Sequence, residues 1–279
     1  MKNKGGFYNS IVNSAFRLSN FLVGILLVIL ITASVSLIFI RGIPDFKTIL
    51  QSAEIIFAIK LSLYTSLIST FLCIVTAIPV AYYLARVKSR FAFIINTVLD
   101  VPLALPPIVS GVALLLLFGT TEFGRHLASI GLQFVFTVKG IILAQYFVNV
   151  PYMVKVIYTA FSSVSTRMEF VARSLGYNQL ETFVKITLPL AKGGIMAAVI
   201  ITWAKALGEF GAALMLAGAT RLKTETLPLS LFLNMSTGEL SLAMAAATIL
   251  IVISVASLLV FEGLGSGTTV LDRGKDGVW

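Results

Sequence analysis

The chain has 279 residues, of which 58% are hydrophobic and only 12% charged, about half the charged fraction of a soluble domain. That composition excludes an ordinary water-soluble globule and places the chain in a bilayer. The net charge of +9 is scattered between oily segments, so it reads as topology and not as a nucleic-acid surface. One cysteine (Cys73, a packing residue by its apolar surroundings) and one histidine (His126) exclude a disulfide framework and a His/Cys metal centre.

A spanning helix needs roughly 20 apolar residues, and six segments qualify. The first, near 20–40, carries no charge; its long core without a following A-x-A-like site reads as a retained anchor and not a signal peptide. The second runs near 57–84 and must tilt or protrude. The third lies near 98–118, the fourth near 139–160, the fifth near 194–217 and the sixth near 242–262. The expected organisation is a cytoplasmic N-terminal segment at 1–19, a six-helix transmembrane domain at 20–262 and a polar, Gly-rich cytoplasmic tail at 263–279.

Lysine and arginine in the connections divide unequally. Thirteen, including Arg86, Lys88, Arg90, Arg167, Arg173 and Lys185, fall on one side, against seven that include Arg41, Arg125, Lys139, Arg221 and Lys223. The positive-inside rule then predicts cytoplasmic termini. The fold class is an all-α polytopic membrane protein with six transmembrane helices.

The third segment opens with "DVPLALPPIVSG", 100–111. Pro102, Pro106 and Pro107 each remove a backbone donor, which predicts a bent or irregular entry. Such backbone is tolerated beside protein or a watered cavity, so Ser110 and Gly111 are candidates for a translocation path; an ordinary kinked helix is the plainer alternative.

Between segments four and five lies "TRMEFVARSLGYNQLETFVKITLPLAKGG", 166–194, the least oily long stretch. Thr166 with Glu169, and Asn178 with Glu181, have capping-box spacing. Gly176 suits a left-handed helix end, and Pro189 is expected to limit the second helix. Leu180, Phe183, Val184 and Thr187 share a helical stripe. The pair suits a groove on a partner protein; a helix lying on lipid headgroups is the alternative.

The fifth segment places Lys205 and Glu209 in apolar sequence, where each is expensive against lipid. Their i, i+4 spacing puts them on one face, as a buried ion pair or as the lining of a path or gate. Gly208 and Gly211 flank Glu209 and permit close helix approach. No carboxylate row suited to a cation path is present, and no nucleophile–base pair or cofactor fingerprint. "GTTEFGRH", 119–126, lacks the Lys and Ser/Thr that a phosphate-binding loop requires.

Glu169, Ala172 and Gly176, with Ile186, Leu188 and Pro189 following after nine intervening residues, resemble the "EAA" loop of membrane subunits of binding-protein-dependent ABC importers. Val171 stands where that pattern has its first alanine. The resemblance implies type I (MetI-like) architecture and a loop, 166–190, whose helices dock an ATP-hydrolysing partner. Glu169, Ala172, Gly176, Leu180, Phe183, Ile186, Leu188 and Pro189 would then form the coupling surface. The runs at 100–111 and 203–212 resemble the molybdate, tungstate and sulfate branch, with Lys205 where arginine is usual. This implies a path or gate at Pro106, Pro107, Ser110, Gly111, Lys205, Glu209 and Gly211.

The expectation is therefore a non-enzymatic permease for molybdate or tungstate in the cytoplasmic (inner) membrane. It would work as a homodimer with two ATP-binding cassette subunits holding ATP and Mg²⁺, an external binding protein and membrane lipid, without nucleic acid or a cofactor of its own. A sulfate permease and an ion-coupled secondary transporter are the alternatives.

Overall fold

A computed structural model describes residues 4–42 and 51–265. The regular elements among them are helical: α1 (Lys4–Gly42), α2 (Ala53–Arg86), α3 (Arg90–Ala104), α4 (Pro107–Gly119), α5 (Glu122–Ser129), α6 (Val138–Ser163), α7 (Thr166–Ser174), α8 (Gln179–Thr182), α9 (Leu188–Leu207), α10 (Gly211–Ala217), α11 (Leu227–Ser236) and α12 (Leu240–Gly265). Most of the expected tail, 266–279, lies outside the described residues, as do Lys2 and Lys47.

Five uninterrupted stretches are long and apolar enough to cross a membrane, namely Val12–Gly42, Ala53–Arg86, Val138–Ser163, Gln179–Leu207 and Leu240–Ser257. The sixth expected span is the pair α3 and α4, bent by 112° between Ala104 and Pro107. The proline reading holds there: Leu105 is extended (ψ 138°), as a residue before proline prefers, and Pro106 precedes the new helix.

The fifth segment differs from expectation. Its helix begins at Gln179 and ends at Leu207, and Gly208, Glu209 and Phe210 interrupt the chain before α10. The run is apolar on all sides, so no periodicity marks the break. A flanking glycine on each side and a carboxylate able to cap the next helix make it possible.

The core is built on α2, α6 and α9. Thr65 of α2 lies beside Gln145 of α6, and Arg86 beside Phe161, so these helices run the same way. α9 runs against them, with Trp203 at Ser66 and the residue before α9, Thr187, near the Arg86 end. Cys73, Ala77 and Ala81 pack with Met153, Ile157 and Phe161 and with Ala191, Ile195 and Ala198. Small residues dominate because helix association within lipid rests on close backbone approach and not on water exclusion. The hydroxyls of Ser62, Thr65, Ser66, Ser69 and Thr70 are turned inward, away from hydrocarbon. Gln145 Nε2 donates to the Ala206 carbonyl at 2.9 Å, and Trp203 Nε1 donates to Ser66 Oγ at 3.0 Å.

α1 stands outside this core and packs on α12, where Gly42 meets Met244 and Thr248. At the end remote from Arg86, the Arg221 guanidinium joins the start of α2 to α11 and to Glu239, just ahead of α12. It pairs with Glu54 and donates to Asn234 Oδ1 at 3.1 Å.

Candidate coupling surface and translocation elements

At the Arg86 end, α7 and α8 meet at a glycine. Gly176 has φ +94°, which only glycine adopts without strain, and nothing lies within 4 Å of where a Cβ would stand. Asn178 and Glu181 form the expected capping box: Asn178 N donates to Glu181 Oε2 at 3.0 Å and Glu181 N to Asn178 Oδ1 at 2.8 Å. The Thr166–Glu169 box is corrected. Ser165 caps α7, Thr166 is already helical, and the Glu169 carboxylate is engaged elsewhere.

Pro189 does not end the second helix. α8 passes through a π-turn, Phe183–Thr187, directly into α9, with Leu188 in right-handed helical geometry (φ −62°, ψ −46°). A proline ring collides with the carbonyl four residues earlier in a regular helix. The wider π-turn ahead of Pro189 gives that collision room to relax. The expected loop is therefore a single free helix, α7, followed by the extended foot of the fifth span.

The Glu169 side chain is buried, with Ala172 beside it. Arg86 Nη2 donates to Oε1 at 2.7 Å and Nε to Oε2 at 3.0 Å, while Thr187 Oγ1 donates to Oε1 at 2.6 Å. The same guanidinium donates to the carbonyls of Phe161 at 3.1 Å and Val164 at 3.3 Å. Burial raises the Glu169 carboxyl, but hydrogen bonds from Arg86 and Thr187, with the charges of Arg86 and Arg173, outweigh it and hold the group below its ordinary value. Tyr82, Phe161 and Phe183 pack edge-on or tilted beside this knot, 4.7–5.9 Å between ring centres.

Of the remaining candidates at this end, Gly176 and Leu180 are exposed, Phe183, Ile186 and Leu188 are partly buried, and Pro189 is exposed. The helical stripe divides: Thr187 turns inward and Phe183 partly so, whereas Leu180 and Val184 face out. Composition could not reveal that Phe170, Val171 and Leu175 join them as outward apolar residues, Leu175 at 77% exposure. Arg86 counted in the sequence only as a topological charge; its partners are at least 75 residues away.

Within the membrane region the two interrupted spans meet. Gly211 lies against Pro107 and Ile108, and Gly111 against Ala212 and Met215; a Cβ on Gly111 would stand 2.7 Å from Ala212 Cα. The two proline- and glycine-marked runs thus form one contact. Ser110 is fully buried there with its Oγ unpartnered, while Pro106 and Pro107 are exposed.

The Lys205–Glu209 pair is corrected. No ion pair within 4.0 Å joins them among the described residues. The helix ends between them, which destroys the i, i+4 geometry. Glu209 is buried and accepts from the Ala212 amide at 2.9 Å, capping α10. Lys205 is exposed in the single chain, its Nζ 5.3 Å from the centre of the Tyr152 ring. Thr120 and Thr121 give their hydroxyl protons to the carbonyls of Leu116 and Leu117.

The family model described as "Binding-protein-dependent transport system inner membrane component" matches residues 77–264. The chain belongs to that family. This permease is 35% identical, over 88% of each chain, to a probable molybdenum ABC transporter permease protein of Haloferax volcanii. It is 30% identical to the sulfate transport system permease protein CysW of a Synechocystis, over 82% of this chain and 84% of that one. Its fold is that of a solved bacterial ABC transporter involved in the import of the acidic polysaccharide alginate, with TM-score 0.75, 19% identity, and 94% of this permease and 99% of that chain covered. The permease is a transport component and not the ATP-hydrolysing enzyme of such a system.

Proposed function

We propose that this permease imports molybdate and tungstate, powered by ATP hydrolysis in a separate subunit. The observation that carries the substrate class is its 35% identity, along nearly the whole chain, to a relative named for molybdenum transport. The lower identity to a sulfate permease keeps sulfate as the second reading. A path free of carboxylate rows, with Lys205 as a local positive charge, suits an anion.

In this reading the α7–α8 end faces the cytoplasm, with both termini on that side. The outward residues Phe170, Val171, Leu175, Leu180 and Val184 enter a groove on the ATP-binding cassette subunit, which holds ATP and Mg²⁺. Two copies of the chain, two such subunits and an external binding protein make up the transporter. Lys205 and the exposed prolines 106 and 107 face the path between the copies, and the contact of Gly111 with Ala212 and of Gly211 with Ile108 lets the interrupted helices move as one gate.

The test is ATP hydrolysis by the reconstituted complex with its binding protein. Molybdate should stimulate hydrolysis equally with and without ionophores that collapse proton and sodium gradients. Uptake that follows those gradients, without ATP, would make the protein a secondary transporter instead.

A further inference from the structure

We infer that Arg86 is the positioning residue that carries coupling-helix motion into the membrane, acting through Glu169; the inference rests on the transport reading above. The resemblance puts Glu169 on the docking surface. In the structure its carboxylate points the other way, into the protein, and is buried. A buried carboxylate bonded by both Arg86 and Thr187 is an internal fastener, and this one is tied, directly or through Arg86, to three different spans.

The fastener is bilateral. Arg86 ends α2, and its guanidinium binds Glu169 of α7 together with the carbonyls of Phe161, in the last turn of α6, and of Val164, which caps it. Thr187, the final residue of the π-turn before α9, binds the same carboxylate oxygen that Arg86 Nη2 binds. A planar guanidinium satisfies two carbonyls and both carboxylate oxygens at once, which an ammonium cannot do. Displacement of α7 therefore pulls on α2, α6 and α9 together, through charge-assisted bonds in a dry setting. α9 leads directly to the break at Gly208 and the contact with α4. Coupling transmitted this way needs a rigid element that both sites bias, and the Arg86–Glu169–Thr187 knot supplies the joint.

The experiment is a double-mutant cycle on the complete reconstituted importer, with Arg86→Gln, Glu169→Gln and the double variant. Each single variant should lower molybdate taken up per ATP hydrolysed by about tenfold, and the double variant should be no worse than either single one. Arg86→Lys should not restore the ratio, and Thr187→Val, nearly isosteric, should lower it less. Amide exchange across 166–175, read in the assembled complex without substrate, should quicken in Arg86→Gln. If Glu169 acts on the ATPase directly, Arg86→Gln will keep the wild-type ratio, or its effect will multiply with that of Glu169→Gln; either result overturns the inference. Should a Gln variant fail to assemble, Thr187→Val decides the matter, through a lowered uptake ratio and quickened exchange across 166–175 in its assembled complex; wild-type values of both would overturn the inference. Absence of anion uptake by the wild-type complex would instead overturn the transport reading, while α7 exchange in Arg86→Gln would still show whether the fastener exists.

Discussion

Glu169 is 4% exposed and Arg86 only slightly more accessible, so the protonation state of this carboxyl bears on stability. Its folded-state pKa is depressed. Its stabilising contribution is therefore complete above the unfolded-state value and is lost as pH falls through the lowered one. Removing one partner of a buried pair costs about 3–5 kcal/mol. Glu169→Gln should accordingly lower the unfolding temperature near neutrality, and the gap from wild type should close on acidification below the ordinary carboxylate range. Thermal unfolding in detergent across that range checks it; a gap independent of pH would mean the carboxylate is not the stabilising species. Gly111→Val makes a contrasting case, since its Cβ would collide with Ala212 and Met215. Overpacking of this kind costs about 1–3 kcal/mol, and the variant should fold less stably and transport poorly. Gly176→Ala meets no neighbour; only its left-handed backbone is penalised, by about 1–2 kcal/mol, so it should insert normally while docking the ATPase more weakly in a pull-down.

At the scale of elements, the π-turn and Pro189 form one device. Without the ring, nothing keeps the turn wide, and a return to α-geometry would rotate α8 against α9 by about 100° per residue. Pro189→Ala should leave thermal stability near wild type and yet lower uptake per ATP, because Thr187 turns away from Glu169. Unchanged uptake would show that the wide turn has no part in transport. What was legible in the sequence follows from how local each feature is. The Asn178–Glu181 box involves four consecutive positions and is present as read, whereas Thr166 and Glu169 have the same spacing and no box. The difference lies in Arg86, 83 residues away, which claims the carboxylate. The bend before Pro107 was legible because proline acts through its own ring. The break at Gly208–Phe210 was not, because a helix apolar on every side gives no periodic signal when it stops.

Over the whole molecule, the bias of basic residues, taken with six spans, predicts that the α7–α8 end lies in the cytoplasm. Cys73 is the one native cysteine and is buried, so introduced thiols report cleanly. A cysteine at exposed Asn178 should react with impermeant reagents only from the cytoplasmic side, and one at exposed Lys223 only from outside; labelling of both from one side would contradict the topology. Architecture and family rest on the fold and on the match over residues 77–264. Substrate choice rests on identity to relatives named for molybdenum transport. Uptake of radiolabelled anion by proteoliposomes holding the complete complex, with ATP enclosed and the binding protein outside, tests the central claim most directly. Molybdate and tungstate should accumulate in an ATP-dependent manner and compete with each other, with sulfate far weaker at equal concentration. Accumulation of sulfate in preference to molybdate, or of neither anion, would contradict the account.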